Sequence, residues 1–182
     1  VFVRNQAGFT LKPFLYAMAL DRGFQANTVL PDISPIFGAQ DAYIPMNFNR
    51  RYNGPVRLRL ALASSLNVPA VYTLERLGVS SFEDYLLDLG FESIGESRGS
   101  HGLSLALGSA RIRLEELVRA YAVFTRSGKT LPYHLSLEEA RAHKLAPPAS
   151  VMSEEAAFLI RDILSDRDSR FTGFGHALAT DR

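Results

Sequence analysis

Gly8-Phe9-Thr10-Leu11-Lys12-Pro13-Phe14, running on through Leu15-Tyr16-Ala17-Met18-Ala19-Leu20-Asp21-Arg22-Gly23, is the stretch on which the reading of this sequence turns. Leu11, Phe14, Leu15 and Met18 recur at helical spacing and Gly23 supplies a stop, which predicts a helix over 11–22. Pro13 then falls in the first turn, where its missing amide proton leaves no hydrogen bond unmade. Lys12 therefore stands at the tip of a helix. Positions three apart on a helix share a face, so the side chains at 9 and 12 are expected to meet. A serine at 9 would have its hydroxyl beside an amine, and the helix N-terminus would favour the alkoxide and lower the lysine's pKa. The residue there is Phe9, which carries no nucleophile.

Fifty residues on, Ser64-Ser65-Leu66-Asn67-Val68-Pro69-Ala70 sets a hydroxyl and a carboxamide two residues apart. Pro69 biases Val68 away from helix, so a kink is expected, and an extended segment would point Ser65 and Asn67 to one side. A serine so placed can pass a proton and an asparagine amide can hold a carbonyl. The same two residues are equally suited to capping a helix that starts at Pro69.

The remainder reads as mainly helical. Residues 24–54, rich in Pro, Gly and Asn, predict a long surface excursion. Gly54-Pro55 is expected to open a helix to about Ser64, and Pro69 another to about Leu77, ended by Gly78. Ser80-Ser81-Phe82-Glu83 has the form of a capping box, ahead of an apolar stripe of Phe82, Tyr85, Leu86 and Leu89. Leu114, Leu117, Val118 and Tyr121 define a further helix. Residues 129–150 read as loop, with a short strand about Thr130 to His134, and Ser153 caps a last helix carrying Phe158, Ile160, Ile163 and Leu164.

With 182 residues and 47% hydrophobic composition the chain can bury one substantial core. Its 20 Lys and Arg against 19 Asp and Glu leave a net charge of +1, which gives no electrostatic case for a nucleic-acid partner. The absence of cysteine excludes disulfides and thiolate metal sites and selects no compartment. His101, His134, His143 and His176 show no metal-ligand spacing, and no metal or other cofactor is expected. No apolar run approaches the roughly 18 residues that span a bilayer. A start at Val1 and an end at Asp181-Arg182 suggest a stretch of a longer protein.

Taken together, the two motifs resemble active-site signatures of penicillin-binding proteins, whose wider pattern Gly-Ser-Thr-Leu-Lys-Pro-Phe is matched here by Gly8, Thr10, Leu11, Lys12, Pro13 and Phe14. Residues 11–23, the segment from Asn47-Phe48 to Gly54-Pro55-Val56, Gly102-Leu103-Ser104-Leu105-Ala106-Leu107-Gly108, and Asp162-Ile163-Leu164-Ser165-Asp166 resemble the transpeptidase domain of the class A proteins, the C type most closely. The resemblance implies that 1–182 is a partial transpeptidase domain. It would be the helical part of the α/β transpeptidase and β-lactamase-like fold, with most of the central antiparallel sheet missing and 24–54 as a long loop.

The resemblance also implies a function. In relatives a serine attacks the D-Ala-D-Ala carbonyl of a peptidoglycan stem peptide, or a β-lactam, and passes the acyl group to an amine or to water. It assigns Phe9 to the nucleophile position, Lys12 to the base, Ser65 to the proton relay and Asn67 to the catalytic set as the residue that binds substrate. The parent would be anchored to the bacterial inner membrane with this domain in the periplasm. Two departures stand out: Phe9 itself, and the absence of the third signature, Lys-Thr-Gly, which relatives carry just beyond a segment like Gly173-Phe174-Gly175 to Arg182. The Phe9 ring is expected to fill the cleft beside Lys12, exclude water and push the amine toward neutrality. Thr10 is a poor substitute nucleophile, being rotated about 200° from Lys12 on a helix. Tyr43, Phe48 and Tyr52 are candidates either for lining a peptide groove or for pinning the loop to the body.

Overall fold

Helix α1 (Lys12–Asp21) forms where the apolar spacing predicts it, and every residue from Lys12 to Ala19 is buried. A helix covered all round is the centre of a core. The computed structural model describes residues 3–34, 45–48, 50–130, 134, 136–142 and 147–174. Around α1 pack helices α2 (Leu58–Ala63), α3 (Asn67–Leu77), α4 (Val79–Asp88) and α8 (Glu154–Ser165). The remaining helices are α5 (Glu92–Gly95), α6 (Leu114–Phe124), α7 (Leu137–Ala142) and α9 (Arg167–Phe174). Among the described residues, strands make two antiparallel ladders of two strands each, so helices dominate, as expected for the helical part of a larger α/β fold.

The first ladder pairs β1 (Arg4–Gln6) with β4 (Arg111–Arg113), and neither strand is expected from the sequence because three residues are too few to show alternation. It is followed by two backbone contacts, Ala7 N–H to Ala110 O at 2.9 Å and Gly8 N–H to Gly108 O at 3.1 Å. The chain then makes a 3₁₀ turn over Gly8–Leu11 and enters α1, so position 9 rides on a turn docked against residue 108. A Cβ at Gly108 would lie 1.7 Å from the Gly8 carbonyl oxygen, and its φ of +75° is itself unfavourable for any side chain. Gly108→Ala is expected to cost about 2–4 kcal/mol through overlap and backbone strain, read as a lowered midpoint in urea denaturation.

The excursion over 24–54 is tied at its base. Strand β2 (Val29–Asp32) pairs with β3 (Gly54–Arg57), with Leu30 opposite Val56 and Pro31 opposite Pro55. Two prolines can face each other only where neither is required to donate across the ladder. Gly54-Pro55 therefore begins a strand and not a helix; α2 starts later, at Leu58.

Three further expectations are corrected. The capping box at Ser80 to Glu83 does not form, because Gly78, at φ +87°, alone links α3 to α4 and the serines already lie inside the helix. Glu83 instead turns inward and accepts from Gly99 N–H at 2.9 Å. Helix α6 buries Ala120, Val123 and Phe124 and leaves Leu114 and Val118 exposed, so its inner face is rotated from the stripe read in the sequence. The segment 129–150 contains α7 and a bridge between Lys129 and Ser150; most of the strand expected about Thr130 lies outside the described residues. Ser153 does cap α8, accepting from Ala156 N–H at 3.0 Å, and Ile160 and Ile163 enter the core while Phe158 stays exposed.

Candidate active site

The tip of α1 and the α2–α3 junction meet at the amine of Lys12. Its Nζ donates to Ser65 O at 2.6 Å, Asn67 Oδ1 at 2.7 Å, Leu66 O at 3.1 Å and Ser65 Oγ at 3.2 Å. The side chain is 1% exposed and none of these partners is a carboxylate. A lysine buried without a counter-ion is costly unless hydrogen-bonded, and here four oxygens share three ammonium protons. Burial pushes the amine down from 10.5 to about 7. The ring of acceptors pulls the other way, since only the ammonium can serve three of them at once.

The cage depends on backbone geometry. Ser65 sits at φ +52°, a left-handed conformation that costs a non-glycine residue about 1–2 kcal/mol. That residue closes α2, with Ser65 N–H reaching Leu62 O and Leu66 N–H reaching Ala61 O. Leu66 is then extended, at φ −64° and ψ 140°, and α3 starts at Asn67, which leaves Pro69 in the first turn. The reversal lays the carbonyls of Ser65 and Leu66 and the carboxamide of Asn67 around a single point. Asn67 is itself held, its Nδ2 donating to Met46 O at 2.7 Å and its N–H to Asn47 Oδ1 at 2.8 Å.

Phe9 lies over this cage, its ring centroid 4.5 Å from Lys12 Nζ, within the range of a cation–π contact. The ring is 48% exposed, however, so it does not fill a closed cleft. The burial of Lys12 comes from the α2–α3 turn, and Phe9 acts as a half-open cover. Thr10 turns away: its Oγ1 donates to Ala7 O at 2.5 Å, and its carbonyl accepts from Tyr121 Oη at 2.9 Å. Its hydroxyl is a link within the 3₁₀ turn. The four residues singled out in the sequence, Phe9, Lys12, Ser65 and Asn67, thus come together in space.

Other candidates fall elsewhere. Phe48 is 94% exposed and pins nothing; Tyr52 is at the edge of exposure, and Tyr43 lies outside the described residues. His101 Nε2 and Ser97 Oγ are hydrogen-bonded at 2.8 Å, and His143 and His176 are outside the described residues. Among the described residues no group of three or more His, Asp or Glu side chains is arranged to hold a metal. Sequence reasoning passed over Asp32, Asn47 and Asn53, because asparagines in a Pro- and Gly-rich stretch read as turn formers. Only their convergence in space marks them.

The arrangement has the parts for proton transfer: an amine that titrates near neutrality, a hydroxyl 3.2 Å away, and a carboxamide oriented by its own contacts. It also predicts a pH dependence of stability. The folded amine at about 7 lies below the unfolded 10.5, so between those values the unfolded chain binds more protons and stability rises with pH. The slope from Lys12 is at most about 1.4 kcal/mol per pH unit. Urea midpoints measured from pH 7 to 9.5 are expected to show the rise in the parent and to lose it in Lys12→Met.

Comparison with known proteins agrees on one family. The model described as penicillin binding protein transpeptidase domain matches residues 4–181. Over 87% of this chain, it is 35% identical to penicillin-binding protein 1C of Escherichia coli strain K12, and it spans 20% of that protein. Penicillin-binding protein 1A of Haemophilus influenzae is 37% identical over 68% of this chain, which spans 14% of it. The crystal structure of a Haemophilus influenzae penicillin-binding protein 1A superposes with a TM-score of 0.74 at 28% identity, covering 96% of this chain and 31% of that one. The transpeptidase domain of Burkholderia pseudomallei penicillin-binding protein 3, at 18% identity, superposes with a TM-score of 0.70 and shows the shared fold.

Proposed function

Since the chain belongs to the penicillin-binding protein transpeptidase-domain family, we propose that it is the helical portion of a peptidoglycan-crosslinking domain whose acylation step is disarmed by Phe9. The observation that carries this reading is the Lys12 amine, caged by Ser65 and Asn67 with an aromatic ring where the reactive hydroxyl would stand. In the reaction the family implies, Lys12 takes the proton of a nucleophile at position 9. Ser65 passes a proton toward the leaving amine, and Asn67 holds the stem-peptide carbonyl. Phe9 has no hydrogen to give and no lone pair to attack with, so neither D-Ala-D-Ala nor a β-lactam is expected to acylate this site.

A membrane-anchored, periplasm-facing parent fits the relatives named above. Among the described residues no helix is long and apolar enough to cross a membrane. The test is incubation of the full-length protein with a fluorescent penicillin, followed by denaturing electrophoresis. No covalent label is expected. A stable label that disappears in Thr10→Ala would overturn both the disarmed reading and the structural role given to Thr10.

A second reading is favoured by the half-open position of Phe9: a non-enzymatic module that binds a stem peptide or a cell-envelope partner through the retained cleft. It predicts reversible binding of a D-Ala-D-Ala peptide to the unmodified protein by calorimetry, weakened by Asn67→Ala; a protein that binds no such peptide would refute it.

A further inference from the structure

Asp32 is fully buried. Among the described residues its carboxylate accepts from amides: Asn47 Nδ2 at 2.7 and 2.9 Å, Asn53 N–H at 2.9 Å and Asn53 Nδ2 at 2.6 Å. Both flanks of the excursion 24–54 are fixed by the β2–β3 ladder, in which Asp32 lies opposite Gly54. Asn47 is buried and can face only one way. Its Nδ2 also donates to Arg51 O at 2.8 Å, which leaves its Oδ1 for the N–H of Asn67 at 2.8 Å. The neighbouring Met46 carbonyl takes Asn67 Nδ2, and Asn67 Oδ1 is thereby aimed at Lys12 Nζ at 2.7 Å.

From this unbroken run of contacts we propose that Asp32 and Asn47 are positioning residues, orienting the Asn67 carboxamide and through it the Lys12 amine. The proposal rests on the reading of Lys12 and Asn67 as a reactive site and adds the device that sets it. A charged acceptor makes stronger hydrogen bonds than a neutral one, and successive bonds polarise one another, so Asp32 stiffens the chain at its far end. A buried carboxylate is otherwise an expensive way to close a loop.

The test follows the lysine ε-carbon signals by NMR in the protein labelled with ¹³C-lysine, with Lys12 assigned by the signal lost in Lys12→Met. Asp32→Asn turns an amide toward the amides of Asn47 and Asn53, and Asn47→Ala removes the link; each is expected to shift the Lys12 signal while that of Lys129 stays in place. The exchanged pair Asp32→Asn/Asn47→Asp again offers one carboxylate, one amide and an oxygen for Asn67 N–H, while Arg51 O loses its donor, and is expected to bring the Lys12 signal part of the way back. Folded single variants with an unmoved Lys12 signal would overturn the proposal, as would a folded exchanged pair that restores nothing. Should the single variants unfold, the exchanged pair decides alone: a parent-like Lys12 signal upholds it and a solvent-exposed one refutes it. Because the readout requires neither nucleophile nor penicillin, its failure leaves the acyl-transfer reading standing. A Phe9→Ser protein that failed to acylate would in turn leave the positioning chain standing.

Discussion

Phe14→Ala is expected to cost about 3–5 kcal/mol, a large share of the stability of an ordinary domain. The side chain is fully buried and meets three other rings: Phe91 at 5.4 Å, Tyr121 at 5.1 Å and Phe124 at 5.0 Å between centroids. The first two contacts are edge-to-face and the third is stacked, arrangements that add roughly 0.5–1.5 kcal/mol each beyond buried area. These rings come from α1, α6 and the loop before α5, so truncation opens a cavity where three segments join. Phe14 lies two residues after Lys12, and the same packing fixes the tip of α1 that carries the amine. Urea denaturation of the parent and the variant measures the loss directly; a cost below about 1 kcal/mol would mean that the ring cluster does not hold the helix.

The second large effect is chemical. In a Phe9→Ser background, adding Lys12→Met is expected to slow acylation by fluorescent penicillin by about 10²–10⁴-fold, the range found when a positioned general base is removed. Methionine preserves length and apolar volume but cannot accept the serine proton. Asn67 Oδ1 and the Ser65 and Leu66 carbonyls also lose their donor, so thermal melts of both variants are needed to separate chemistry from unfolding. Acylation with an unchanged rate in the double variant would remove Lys12 from the role proposed for it.

How much of this was legible in the sequence varies with distance along the chain. The helix of Lys12 to Asp21, the stop at Gly78 and the cap at Ser153 are local events, and spacing or residue type was enough. The short strands were not, because Arg4–Gln6 and Gly54–Arg57 exist through partners 105–109 and 22–28 residues away and carry no alternation of their own. Pro55 illustrates the difficulty: the same fixed φ suits the first turn of a helix and an edge strand, and only pairing with Pro31 decides between them. The proximity of Phe9, Lys12, Ser65 and Asn67 was readable through family resemblance, whereas spacing alone could not join segments 53 residues apart. The exposure of the Phe9 ring was not readable either, since it depends on how the 3₁₀ turn docks on Gly108. Nor was the Asp32 to Asn67 chain, whose members sit among residues that any sequence reading assigns to loop.

On the proposed function, one side chain separates this site from acyl transfer. Intact-mass spectrometry of the full-length protein after exposure to benzylpenicillin tests it most directly, run on the parent and on Phe9→Ser, with peptide mapping of any adduct. An unmodified parent is expected and, in Phe9→Ser, a gain of one penicilloyl group mapped to position 9. A penicilloyl group on the parent, or a folded Phe9→Ser protein that stays unmodified, would contradict it.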